Sequence, residues 1–279
     1  MAILAWSTVS TAFKLSLRSL HPVGLLLISS LAASIFLLIY RLISRIPSDI
    51  SLTQNIRKSL VPALLNPMLY YLVLFEAYHR LRAQEAQALN YTWAIVLSVF
   101  SIILLKERFR LKDMIALGIS FLGVLVISTK AKLWNLEFDD ALGTFLAAFS
   151  SIIWASYWIL NMRDQRPALV KLSYNFLLGT VLILLYVLSF RSPVFIDAAQ
   201  PWAGILWGSY VGIFEMGLTF VLWMKALELS ESTAKVSNLI FITPFISLLF
   251  IRFALGETIH IATILGMGLI IASNILQKS

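Results

Sequence analysis

Apolar runs of bilayer-spanning length recur along the whole chain, with only short polar links between them. They can be drawn at residues 2–20, 22–43, 59–79, 83–105, 112–129, 142–162, 168–190, 202–227, 233–255 and 258–276. Each is near the ~20 residues that a bilayer core requires. With 59% hydrophobic and only 13% charged residues, a soluble domain would have no interior large enough for this surface. The expected fold class is an all-α polytopic membrane protein with ten transmembrane helices. The longest links, 44–58 and 130–141, are short, so no attached soluble domain is expected. The first charged residue is Lys14, so the basic start of a cleaved signal peptide is missing.

The same composition narrows the chemistry. Cysteine is absent, and His21, His79 and His260 are scattered. No disulfide, thiolate nucleophile, cofactor or metal-ligand set is therefore expected. The net charge of +8 would draw nucleic acid in a soluble protein. In so apolar a chain it belongs to basic loops at one membrane face. Links after even-numbered spans, with the C-terminus, hold 14 of the 22 basic residues, and the other side holds 8. The positive-inside rule then puts both termini in the cytoplasm. The expected partners are the lipid bilayer and a small-molecule substrate, not nucleic acid.

Landmarks recur at a near-constant offset. Trp6 and Trp154 are 148 positions apart, while Glu107 and Glu257, like Gly118 and Gly268, are 150 apart. Two sets of five spans, 1–130 and 131–279, must run in opposite senses because five is odd. That is an inverted repeat, a transporter plan with its site near the midplane.

Polar residues inside the spans mark candidate sites, since an ionisable group there costs roughly 2.5–3.5 kcal/mol on insertion scales. Glu215 is the deepest. It is either a partner for a substrate ammonium, a protonatable group, or a neutral carboxyl bonded within the bundle. Along 85–107, read as one helix, Gln87, Asn90, Tyr91, Ala94, Ser98 and Ser101 share a face, so this helix is expected to line a substrate path. Asn90 reads as a substrate contact, Asn238 more as interhelical glue. Pro67, after Asn66, and Pro244, after Thr243, are expected to kink spans three and nine. Trp6, Tyr70, Tyr71, Tyr91, Trp93, Trp154 and Tyr157 lie deep enough to give flat walls with polar handles. Trp134, Trp202 and Trp223 fit interfacial belts. Glu76 and Glu85 are expected in an exposed ion-pair cluster with Arg80 and Arg82, and Lys14 is expected to snorkel to the surface. Gly118, Gly123, Gly266 and Gly268 suit tight packing of spans five and ten. Their sharper reading is a homodimer surface through those helices.

The chain resembles the EamA-type branch of the drug/metabolite transporter superfamily. Trp6-Ser7-Thr8, the LLKE ending at Leu104–Glu107, Trp154-Ala155-Ser156-Tyr157, and Pro244 followed by Leu255-Gly256-Glu257 carry the resemblance. Ala83-x-Glu85 and Asn90-Tyr91-x-Trp93 resemble the YddG-like aromatic amino acid exporters, with Ala94 where those carry proline. The resemblance implies a multi-pass protein of the bacterial inner membrane that exports amino acids or related metabolites by alternating access. The predicted substrate-binding set is Trp6, Ser7, Tyr70, Tyr71, Asn90, Tyr91, Trp93, Trp154, Tyr157, Glu215, Asn238 and Thr243. No Walker-type loop is present, so ATP is not the expected driver. An enzyme acting on lipid-linked substrates is the runner-up. Its only paired carboxylates are Asp139-Asp140, which read as a solvated turn. A channel-like uniporter is a third reading.

Overall fold

The computed structural model describes residues 1–105, 111–131, 140–196, 201–228 and 242–278. Among these the chain is helical, apart from an isolated bridge between Leu20 and Phe195. In order, the helices are α1 (Ala2–Ser16), α2 (Pro22–Ser44), α3 (Leu52–Ala63), α4 (Tyr70–Arg80), α5 (Ala83–Asn90), α6 (Trp93–Leu105) and α7 (Leu111–Ser128). After these come α8 (Ala141–Arg163), α9 (Ala168–Phe190), α10 (Pro201–Tyr210), α11 (Thr219–Glu228), α12 (Thr243–Phe250) and α13 (Ile261–Lys278). Wide π turns join α3 to α4 (Leu64–Leu69) and α10 to α11 (Val211–Leu218), and another extends α12 (Ile251–Leu255). Five helical stretches are long and apolar enough to cross a bilayer: Pro22–Ser44, Leu52–Arg80, Ala141–Arg163, Ala168–Phe190 and Pro201–Trp223.

Local chemistry sets several ends. Pro22 opens α2, where a missing N–H costs nothing. Ser51 and Gln54 form a reciprocal capping box at α3, and the Asp140 carboxylate accepts from Gly143 N at 2.7 Å to start α8. The surface shows what the helices face. On α2, Leu31, Ile35, Ile39 and Leu42 are exposed, while Leu26, Ser30, Ala33 and Leu37 are buried. A helix apolar on its outer side and small or polar on its inner side is suited to lipid outside and helix contacts inside.

Two sequence expectations need correction. Span three starts at Leu52 rather than near residue 59, because the capping box extends it. Its kink at Asn66 is as expected: that residue has extended angles, φ −143° and ψ 117°. The stretch 85–107 is not one helix. It is interrupted at Tyr91 and Thr92, where the Thr92 N–H and hydroxyl both donate to the Leu89 carbonyl, three residues back. The single polar face drawn along it is therefore split between α5 and α6. Glu107, Trp134 and Asn238 lie outside the described residues.

Helix pairings come in matched sets. α2 packs on α9, and α7 on α13. α4 meets α8, as α1 meets α10; α8 meets α6, as α1 meets α12. The turn 64–69 lies against α9, and the turn 211–218 against α2. Close approaches fix these contacts. A Cβ on Gly179 would sit 2.5 Å from Pro67 Cδ, and one on Gly212 2.2 Å from Ser29 O. Gly123 and Gly266 face each other between α7 and α13, so these two glycines serve packing within the chain, while Gly118 and Gly268 border open space.

Candidate functional site

Aromatic rings from four spans meet around one carboxyl. Trp154 on α8 stacks on Tyr70 of α4 at 4.6 Å, and lies 5.7 Å from Tyr157 and 6.0 Å from Phe220 of α11. Trp6 on α1 closes the ring against Phe220 at 6.1 Å and Trp223 at 5.2 Å. Tyr71 lies against Tyr70 at 4.7 Å. Glu215, in the wide turn 211–218, points into this set. Its Oε1 accepts from Tyr71 Oη at 3.2 Å, and the Trp6 indole also interacts with the carboxyl. Its Oε2 has no partner. Tyr71 and Tyr157 are wholly buried, whereas Glu215, Trp6 and Trp154 are half-buried. The wide turn matters here, because a π turn rotates one side chain out of the α register.

Other predicted residues hold the box in place. Asn90 is engaged at both ends of its amide: Tyr70 Oη donates to its Oδ1 at 3.3 Å, and its Nδ2 donates to Ser150 Oγ at 2.8 Å. The Ser151 hydroxyl donates to the Asn90 carbonyl at 2.9 Å. Asn90 thus aims Tyr70 and locks the break between α5 and α6. Ser7 is fully buried and donates to Ile3 O at 2.7 Å and Thr243 O at 3.3 Å, pinning α1 to α12. Tyr91 lies beside Thr243. Trp93 opens α6 half-buried, without a ring contact among the described residues.

Three residues that sequence reasoning assigned elsewhere take different places. Trp223, expected in an interfacial belt, packs its ring against Trp6. Lys14 does not snorkel; its Nζ donates to Tyr78 O and Leu81 O, both at 2.8 Å, capping the carbonyl end of α4. Glu85 is buried and accepts from Arg82 N at the start of α5, rather than joining the exposed pair of Glu76 and Arg80. Phe220 was missed, because one Phe among 18 carries no signal of its own.

Further contacts among the described residues flank the box at both ends. At one end Phe13, Phe75 and Tyr78 pack edge to face, with Ser10 and Tyr78 hydroxyls 2.8 Å apart. Beyond them, Gln84 donates to Glu257 and to Thr258 O and accepts from His260 N at 3.0 Å, while Ala83 N donates to Glu257 Oε1 at 3.0 Å. At the other end, the buried Arg166 binds the Asp164 carboxylate at 2.6 Å, Asn55 through both its carbonyls, and Ser59 Oγ at 3.0 Å.

Comparison with known proteins bears on this architecture. The model of the EamA-like transporter family matches residues 1–129 and 141–277. An uncharacterized transporter of Archaeoglobus fulgidus is 25% identical over 95% of this chain and 91% of its own length. The uncharacterized transporter YoaV of Bacillus subtilis is 23% identical over 96% and 90%. An uncharacterized transporter of Clostridium kluyveri is 23% identical over 71% of the chain, and this chain spans 64% of that relative's length. A crystal structure superposes with a TM-score of 0.68 at 20% identity, over 99% of this chain and 94% of the other, a likeness of fold.

Proposed function

The chain belongs to the EamA-like transporter family, and from that premise we propose that this multi-pass membrane transporter carries small organic metabolites bearing an ammonium group, amino acids or related compounds, out of the cell. The observation that carries the reading is the unpartnered Oε2 of Glu215 inside the box of Trp6, Tyr70, Tyr71, Trp154 and Phe220. A carboxyl with one free oxygen attracts an ammonium, and indole and phenol faces add cation–π attraction and a flat surface for an apolar body. The ring walls also accord with the aromatic amino acid exporters that the Asn90-Tyr91-x-Trp93 stretch resembles.

Movement follows from alternating access between two inverted halves of five spans each, 1–130 and 131–279. The family model matching two segments and the matched helix pairings support this division. So do the wide turns at 64–69 and 211–218, which stand at equivalent places in the two halves. With both termini cytoplasmic in a bacterial inner membrane, the Gln84–Glu257 end faces outward and the Arg166 end inward. Rocking the halves breaks one polar lattice at a time around a fixed site.

Reconstitution in liposomes tests the site. Glu215→Gln keeps shape and a hydrogen-bonding oxygen but loses the charge. It should lower flux of ammonium-bearing substrates about tenfold or more, with insertion intact. Trp154→Ala should weaken binding of substrates with apolar bodies. Unchanged flux of every amino acid and amine in both variants removes the box from the path.

A further inference from the structure

The rings of the box are not held alike, and the difference singles out one of them. Tyr70 and Tyr71 are anchored through their hydroxyls, which donate to Asn90 Oδ1 at 3.3 Å and to Glu215 Oε1 at 3.2 Å. Asn90 is in turn tied to Ser150 at 2.8 Å. Trp6 meets the Glu215 carboxyl through its indole. Phe220 is buried, 5% exposed, and its side chain has no polar atom, so apolar packing places it. It stands 150 positions after Tyr70, the offset that also separates Glu107 from Glu257. Both rings lie on Trp154, Tyr70 at 4.6 Å and 30°, Phe220 at 6.0 Å and 58°. Phe220 also reaches Trp6, edge to face at 6.1 Å. Moving Tyr70 gives up a hydrogen bond as well as a stacked contact. Moving or trimming Phe220 gives up apolar contact only.

Its place relative to the carboxyl matters as much. Glu215 and Phe220 are five positions apart. In an α-helix that spacing would set them about 140° apart. The wide turn 211–218, which holds Glu215 and ends just before Phe220, reduces the angle. Trp6 shows the outcome, since it meets Glu215 through its indole and Phe220 through its rings. One segment therefore brings a carboxyl and an unanchored apolar ring to the same tryptophan.

We propose that Phe220 is the specificity-determining residue of the box: it sets the largest apolar group that can accompany an ammonium at Glu215. This rests on the reading of the box as a site for ammonium-bearing solutes and states what is selected within that class. The anchored tyrosines orient the polar end of the solute, and the unanchored phenylalanine limits the apolar end. A single methylene in an apolar pocket changes discrimination about 10–200-fold, so removal of a ring is ample to move a size limit.

The test is a binding series on the purified transporter. The ligands are alanine, valine, leucine, phenylalanine and tryptophan, with the matching amines that lack the carboxylate. Each is titrated by the rise in unfolding temperature that a ligand of the native state produces. The parent should bind members up to a limiting size. Phe220→Leu and Phe220→Ala should move that limit upward, raising affinity for larger members relative to smaller ones about tenfold or more. Such a gain is one that loss of fold cannot imitate, and Phe220→Leu decides the matter if Phe220→Ala does not fold. Phe220→Trp should move the limit down. Tyr70→Phe, which keeps the ring and loses the anchor, should weaken all bound members without moving the limit. A parent with no size limit in the series, or a limit that stays put in the Phe220 variants, overturns the proposal and leaves the site reading standing. A parent that binds no member, amino acid or amine, removes the site reading and this proposal with it.

Discussion

The middle and the ends of this bundle treat polar groups in opposite ways. At the Gln84 end, the amide of Gln84 donates through its nitrogen and accepts through its oxygen, and both Glu257 oxygens are engaged. At the Arg166 end, every guanidinium nitrogen finds an oxygen. In the middle, Glu215 Oε2 finds none. A satisfied buried group contributes modestly to stability, and an unsatisfied one costs the full desolvation of that group. The ends therefore hold helices together, and the middle is where the proposed reading puts a ligand. Substitutions at the ends should lower stability, whereas those in the middle should lower binding.

Removing Arg166 should have the largest effect. Arg166→Ala strands the Asp164 carboxylate, Asn55 and Ser59 at once, and losing one partner of a buried pair costs several kcal/mol. Asp164 keeps some solvent, so about 3 kcal/mol is expected, read from thermal unfolding in detergent or nanodiscs. A variant as stable as the parent would show that the Arg166 lattice is not what ties α3 to the link between α8 and α9.

Packing at the border of the two regions comes second. Gly179 faces the rigid Pro67 ring at 2.5 and 2.6 Å from its would-be Cβ. Gly179→Val must push the turn at 64–69 aside, costing about 2 kcal/mol by overpacking. A variant as stable as the parent would show that the turn yields without strain.

How much of this was legible follows the same division. Residues whose meaning lies in the span itself could be found in the sequence. Glu215 is an acid among apolar neighbours, and Trp6 and Trp154 share an offset. Residues whose meaning lies in a partner far along the chain could not. Asn90 shows its polar stripe in the sequence, but not the tie of its amide to Ser150, 60 positions on. Trp223 sits near a span end like a belt residue, and its contact with Trp6 on another helix is not written there. The break at Tyr91–Thr92 has neither Pro nor Gly to announce it; it comes from the Thr92 hydroxyl turning back to Leu89, with Ser151 Oγ 2.9 Å away. Buried hydrogen bonds between helices are set by tertiary packing, which helical periodicity does not encode.

At the Gln84 end the expected loss is smaller, about 1 kcal/mol for Gln84→Ala, because Glu257 still accepts from Ala83 N. Its sharper readout is kinetic. If this lattice closes the outward mouth, weakening it favours the outward-open form. A cysteine introduced near Tyr78, in this chain without cysteines, should then react faster with a membrane-impermeant thiol reagent from outside. Labelling no faster than in the parent background, with Gln84 intact, would break the identification of this end as a gate.

The smallest effect is confined to acid. Burial works against the Asp164 carboxylate, but hydrogen bonds from the Arg166 side chain and N–H, with its charge, outweigh it and hold the pKa below the ordinary 3.8. The unfolded chain therefore takes up this proton at a higher pH than the folded one, and stability rises with pH across that window. The contribution is complete above about pH 5 and drains away as pH falls below about 4 through the folded value. Asp164→Asn lacks the charge at every pH, so the gap in unfolding temperature between parent and variant should be constant near neutrality and shrink below about pH 4. No gap near neutrality would mean that Arg166 is held by the Asn55 and Ser59 oxygens alone. The Arg166 end would then be a set of neutral hydrogen bonds, closer in kind to the Gln84 end than its charge suggests.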